Sequence, residues 1–199
     1  LIARFYEAEE GSGALDGRDI RSIARETLRS QMAFVLQDPF LFEASVYNNI
    51  RYGRLDATDE EIVEAAKKAN AHDFIMKLPD GYNTVLSADG GEISQGQKQL
   101  LSIARALVAD PVILLLDEAT SSIDTVTEIK IQEALEILMQ GRTSFVIAHR
   151  LNTVRHADVV LVLQQGEIVE AGMQRELIAR GGIYASMLNA GKDIDELLD

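Results

Sequence analysis

Residues 112–116 read Val-Ile-Leu-Leu-Leu, an apolar run without alternation, closed at once by Asp117 and Glu118. Such a run fits a strand covered on both faces, as in a parallel sheet flanked by helices. Two carboxylates therefore fall at the carboxyl end of a buried strand, the edge where open α/β sheets keep their ligand crevice. Just upstream, Ser94 can cap a helix, with Gln97 completing a capping box. Leu100, Leu101, Ala104, Leu107 and Val108 then recur at helical spacing. Pro111 stops that helix and pushes Asp110 toward an extended conformation. A lone Asp-Glu after a strand reads as a solvated loop. Its coincidence with the strand and with a helix start suited to anions argues for chemistry.

The stretch Ile93-Ser94-Gln95-Gly96-Gln97 resembles the signature motif of ATP-binding cassette (ABC) ATPases. It keeps Ser94, Gly96 and Gln97 and replaces one of the family's two glycines by Gln95. On this resemblance, residues 112–118 match the Walker B strand and residues 121–124, ending at Asp124, match the D-loop. Two further strand ends fit. Taken alone, Gln37 after the apolar residues 32–36 reads as a structural hydrogen-bonding residue, and His149, at the end of a further strand over 143–148 that is expected to be buried, as a satisfied histidine. Beside the signature, the run Gln37-Asp38-Pro39-Phe40-Leu41-Phe42 resembles the Q-loop, and residues 146–151 resemble the family's switch, or H-loop.

The resemblance implies roles for each position. Asp117 holds Mg²⁺ through its water shell, and Glu118 polarises the attacking water as general base. Gln37 reaches both the metal and the water, and His149 contacts the γ-phosphate. Ser94, Gln95, Gly96 and Gln97 meet the ATP held by a second nucleotide-binding domain, identical or not, with Asp124 at that head-to-tail interface. The implied cofactors are ATP and Mg²⁺, and the implied partners are the transmembrane domains of a transporter, met by the loop that contains Phe40, Leu41 and Phe42. The expected location is the cytoplasmic face of a membrane. The stretch 1–6, the run 37–42 and the tail 166–188 point by resemblance to an exporter, although residues 172–177 lack the His that many relatives place before Glu176-Leu177.

The implied fold class is α/β, like the P-loop NTPases: a mostly parallel sheet core, an inserted helical subdomain and a small antiparallel β piece. Residues 1–199 are expected to form one partial cassette, with the helical part and signature helix over about 45–110. Periodicity and turn residues predict helices at 22–30, 46–51, 59–70 (a capping box from Thr58 and Glu61), 71–78, 126–140, 174–180 and 183–190. In the helix at 126–140, Thr125 and Glu128 are expected to form the start, and Ile129, Leu135 and Leu138 the apolar face. A hairpin is expected about residues 164–166. His72 reads as a packing or surface histidine, His156 belongs to no motif, and residues 85–92 match no coupling motif.

Composition sets the outer limits. The net charge of −13 argues against a nucleic-acid partner, and with it against a DNA-repair ATPase. No cysteine is present, so disulfides and thiolate metal sites are excluded. No Gly-x-x-x-x-Gly-Lys-Ser/Thr loop occurs in the 199 residues. Residues 1–6 read as the second half of a helix, so a chain truncated after that loop is expected, poorly active alone. The alternative is a non-catalytic dimerisation module that supplies only the signature face to a partner cassette.

Overall fold

The computed structural model describes residues 1–87, 91–117, 123–148 and 157–195, which cluster into two units, Leu1–Ile147 and Ala148–Asp199. The first residues form a turn instead of the expected helix. The Arg4 N–H donates to the Leu1 carbonyl at 2.9 Å, and Arg4 takes φ +53°. Arg29 donates to the Ala3 and Arg4 carbonyls at 3.0 and 2.9 Å. Those acceptors are the ones a helical turn would need.

Strands β1 (Ala14–Leu15) and β2 (Arg18–Asp19) pair antiparallel about Asp16 and Gly17, both at positive φ (+48° and +76°), as a type I′ turn requires. The helix expected at 22–30 is split. A 3₁₀ turn covers Ile20–Ser22, the backbone is extended at Ile23, and helix α1 occupies only Arg25–Arg29. Strand β3 (Met32–Val35) follows, then helices α2 (Val46–Arg51), α3 (Asp59–Lys68) and α4 (His72–Ile75). The capping box of Thr58 and Glu61 is present at the start of α3. His72 is half-buried and hydrogen-bonds the Tyr82 hydroxyl at 2.9 Å, a packing role.

Helix α5 (Gln95–Ala109) is the centre of the first unit, packing against α2, α3 and β3. Leu100, Leu101, Ile103 and Ala104 are all buried along it. Burying each of the three larger side chains is worth about 1.5–3 kcal/mol. The helix ends at Asp110, which adopts a left-handed cap (φ 47°, ψ 57°) in place of the expected extended backbone. Asp tolerates that conformation better than most residues, and Arg142 holds its carboxylate at 2.7 Å.

Strand β4 (Ile113–Asp117) begins one residue later than expected, leaving Val112 exposed. Helix α6 (Thr125–Met139), which also packs on α5, leads to strand β5 (Thr143–Ile147). The three strands form a parallel sheet in the order β3-β4-β5. Central β4 is mostly buried, as its unbroken apolar run requires. By contrast β5, expected to be buried, exposes Phe145, Val146 and Ile147. Among the described residues it pairs with β4 alone.

In the second unit, strands β6 (Val160–Gln164) and β7 (Glu167–Gly172) form the expected hairpin. Its turn residues Gln165 and Gly166 both take positive φ. Helices α7 (Gln174–Arg180) and α8 (Ile183–Asp195) close a small core of Val160, Val162, Leu177 and Tyr184. The Glu170 carboxylate accepts the Ile183 and Tyr184 N–H groups at 2.9 Å each, which satisfies two free donors at the start of α8.

Candidate functional site

In a parallel sheet all carboxyl ends lie on one edge, and register fixes which residues meet there. Val35 pairs with Leu116, and Asp117 with Ile147. Asp117 therefore ends β4 at that edge, half-buried, and exposed Gln37 follows β3 by two residues. Both positions therefore fall at the carboxyl ends of adjacent parallel strands. Glu118 follows Asp117 directly and His149 follows Ile147 by two residues; both lie outside the described residues.

The start of α5 is built by reciprocal capping. The Gln97 N–H donates to Ser94 Oγ at 3.2 Å, and the Ser94 N–H donates to Gln97 Oε1 at 2.9 Å. Ser94 is extended (φ −69°, ψ 162°), as an N-cap should be. Both side chains are thus committed to the helix, while early N–H groups of the first turn remain without intrahelical partners. That turn is inherently anion-attracting.

Gly96 is buried and carries a role that sequence reasoning did not give it. A β-carbon there would overlap Thr127 Cγ2 and approach Ile123 Cγ2 to 3.2 Å. The glycine lets the start of α5 lie directly against the start of α6. Asp124 caps α6 by accepting the Thr127 N–H at 3.0 Å, which corrects the expected Thr125–Glu128 start by one residue. The Thr127 backbone and then side-chain hydrogen bonds lower the Asp124 pKa. The starts of α5 and α6 consequently meet at Thr127.

Gln95, the departure from the family's glycine, points elsewhere. Its Nε2 donates to Asp38 Oδ1 at 3.3 Å, next to Gln37. Farther along α5, Arg105 donates to the Phe40 carbonyl (2.9 Å), the Asn49 carbonyl (2.8 Å) and Asn49 Oδ1 (3.1 Å). Its guanidinium also faces the rings of Phe42 and Tyr52, 5.4 and 5.8 Å from their centroids. Burial lowers the Arg105 pKa, yet arginine keeps its charge in proteins. Asn49, itself buried, donates to the Phe42 carbonyl and accepts the Phe42 N–H. The sequence held a signal for Arg105. It lies four residues after Leu101 and three before Val108, on the stripe that α5 buries. Of the expected partner-facing residues, Phe40 is exposed and Leu41 is buried.

The fold and the shared sheet edge define an α/β nucleotide-type cassette with a helical insertion. A family model described as ABC transporter matches residues 1–121, and the chain belongs to that family. It is 60% identical, over 94% of its length and 31% of the relative's, to an uncharacterized ABC transporter ATP-binding protein of Bacillus subtilis. It is 53% identical, over 96% of its length and 30% of the relative's, to a fatty acid ABC transporter ATP-binding/permease protein of Mycobacterium bovis. The structure of a bacterial Atm1-family ABC exporter with ATP bound superposes with a TM-score of 0.87 at 42% identity, covering 95% of this chain and 33% of that one. The chain thus spans about a third of the length of the curated relatives it matches.

Proposed function

We propose that the chain is part of the ATP-binding and hydrolysing domain of an ABC transporter working as an exporter, and that Gln37, Asp117, Glu118 and His149 serve one nucleotide. The observation that carries this reading is the shared sheet edge, which gathers Gln37 and Asp117 at the carboxyl ends of adjacent parallel strands. An amide and a carboxylate offer hard oxygen donors, the chemistry Mg²⁺ selects. Among the described residues no group of three or more His, Cys, Asp or Glu gathers for a metal. Mg²⁺, when bound, supplies charge neutralisation across the β- and γ-phosphates.

The chain's own residues do the rest. Asp117 would hold the metal through water, and Gln37 would add a neutral oxygen that orients water without further charge. Glu118 accepts the proton of the attacking water, which requires it to be ionised beforehand. His149 donates to or accepts from the γ-phosphate region. Ser94 to Gln97 present the start of α5 to a nucleotide held by a second cassette, and Asp124 lies at that two-fold, head-to-tail interface. Transmembrane domains are the second partner, in keeping with the combined ATP-binding/permease character of a relative of which this chain spans 30%. The domain then works at the cytoplasmic face, and the transported substrate is selected by those other segments.

The test is Glu118→Gln in the full-length protein, with ATP binding and phosphate release measured separately. Binding is expected to persist within about twofold while turnover falls by at least about a hundredfold. Equal loss of binding and turnover would make Glu118 a structural residue and defeat the reading.

A further inference from the structure

Gln37 belongs to a segment that helix α5 holds at two points. At the helix start, Gln95 Nε2 reaches Asp38 Oδ1 at 3.3 Å. Ten residues on, Arg105 Nη1 reaches the Phe40 carbonyl at 2.9 Å. The two bonds bracket Pro39, whose fixed φ leaves little freedom between them. The anchorage is rigid from the far side as well. Arg105 also binds the Asn49 carbonyl and side chain, and Asn49 clasps the backbone of Phe42 on both its N–H and its carbonyl. Gly53 lies so close to α5 that a β-carbon there would overlap the Arg105 carbonyl oxygen, and Arg54 donates to the Val108 carbonyl at 3.2 Å. Residues 38–54 therefore have few independent positions relative to α5.

We propose that Gln95 and Arg105 are positioning residues, a two-point clamp through which α5 sets the place of Gln37. A shift of the Ser94 end of α5 is then carried to the segment beside Gln37 by hydrogen bonds, without any change in secondary structure. Glycine at position 95 would leave only the Arg105 point. The guanidinium suits its task because one planar fork serves three acceptors, which a lysine ammonium on a flexible stem does not reproduce. The proposal rests on Gln37 facing the bound nucleotide, as argued above, so its test separates the two ideas.

The experiment uses the full-length protein with 4-fluorophenylalanine at position 40, read by ¹⁹F NMR, and Mg-ATP hydrolysis measured for kcat and KM. Three variants are compared: Arg105→Lys, Gln95→Glu, and Gln95→Glu combined with Asp38→Asn. The second sets a carboxylate against Asp38 on an exposed pair, and a negative charge in a helix's first turn does not harm the helix. The third restores a donor–acceptor pair with its direction reversed. Arg105→Lys and Gln95→Glu are expected to shift or broaden the position-40 resonance. Both should also lower kcat about tenfold, and for Arg105→Lys, which lies away from the nucleotide, KM should stay within about twofold, as misplacement of a catalytic segment predicts. The double variant should recover both signals. A resonance unmoved by either single variant overturns the proposal, and so does a double variant no better than Gln95→Glu. Movement of the resonance with unchanged kcat reduces the clamp to a structural brace and also overturns it. If the parent protein hydrolyses no ATP, the reading of Gln37 fails. The resonance and its recovery then decide alone whether the clamp sets the segment.

Discussion

Gly96 shows how one residue can answer two demands. The signature pattern makes it a nucleotide contact, while its burial against Thr127 and Ile123 makes it a packing necessity. Both readings predict that Gly96→Ala is damaging, so that variant alone decides nothing. The blocking atom does decide. Thr127→Ser removes Cγ2, the atom that a new β-carbon would meet, while its backbone N–H still serves the Asp124 cap. Overpacking of this kind costs about 1–3 kcal/mol, so Gly96→Ala is expected to lower stability by that amount in urea unfolding. Gly96→Ala with Thr127→Ser should regain at least half of the loss. Absence of any regain would mean that the glycine is needed for backbone approach to a ligand and owes nothing to Thr127. Ser94 is simpler, because its hydroxyl has one visible duty. Ser94→Ala should cost about 0.5–2 kcal/mol, the usual worth of an N-cap.

At the scale of the element, α5 and α6 both begin with a side chain that accepts a backbone N–H, but only one of those acceptors titrates. Hydrogen bonds from the Thr127 backbone N–H and then its side chain hold the Asp124 pKa below the usual carboxylate value. A lowered folded-state pKa contributes stability that is present above the unfolded value, near pH 4, and lost as pH falls through the folded value. Asp124→Asn keeps an acceptor and removes the titration. The wild-type protein should therefore melt higher than Asp124→Asn at about pH 7, with the gap closing as pH is taken toward about 3. A gap that stays constant across that range would show the charge to be irrelevant to the cap. Other carboxylates titrate in the same window, among them Asp19, lowered to about 2 by the Arg21 guanidinium beside it. They are common to both proteins and cancel in the comparison. The sequence announced these elements unevenly. Period and capping boxes gave α3 and α5 to within two residues, because local chemistry there agrees with packing. The start of α6 was misread by one residue, since Asp124 and Thr125 are both good caps and only the folded backbone chooses. Ile129 was placed on the apolar face by spacing and is exposed, while Ile131 and Ala134 are buried.

For the whole molecule, the legible part was whatever a strand end or a helix start writes locally. The strand-end positions of Asp117 and Gln37 are legible because buried strands end in polar residues at a predictable edge. The clamp of Gln95 and Arg105 was not found, because its partners Asp38, Phe40 and Asn49 are 56 to 65 positions away in sequence. No periodicity encodes such pairs. Exposure of β5 was missed for a related reason, since an apolar strand sequence does not say how many neighbours will pair with it. Charge is the one global property that composition does report, and it supports a final prediction. The chain carries 32 acidic and 19 basic side chains, a net −13. Each of the ion pairs at Arg4, Arg21, Arg25, Arg54, Lys67 and Arg142 has at least one partner well open to solvent, so each adds little and weakens with salt. The surplus negative charge acts the other way, repelling itself at low ionic strength, where screening reaches only beyond roughly 30 Å, against about 8 Å at physiological salt. Repulsion summed over the surplus outweighs a handful of exposed pairs. Raising NaCl from about 10 to about 150 mM should therefore increase the melting temperature. A fall over that range would show that the exposed pairs, and not the net charge, govern how this protein responds to salt.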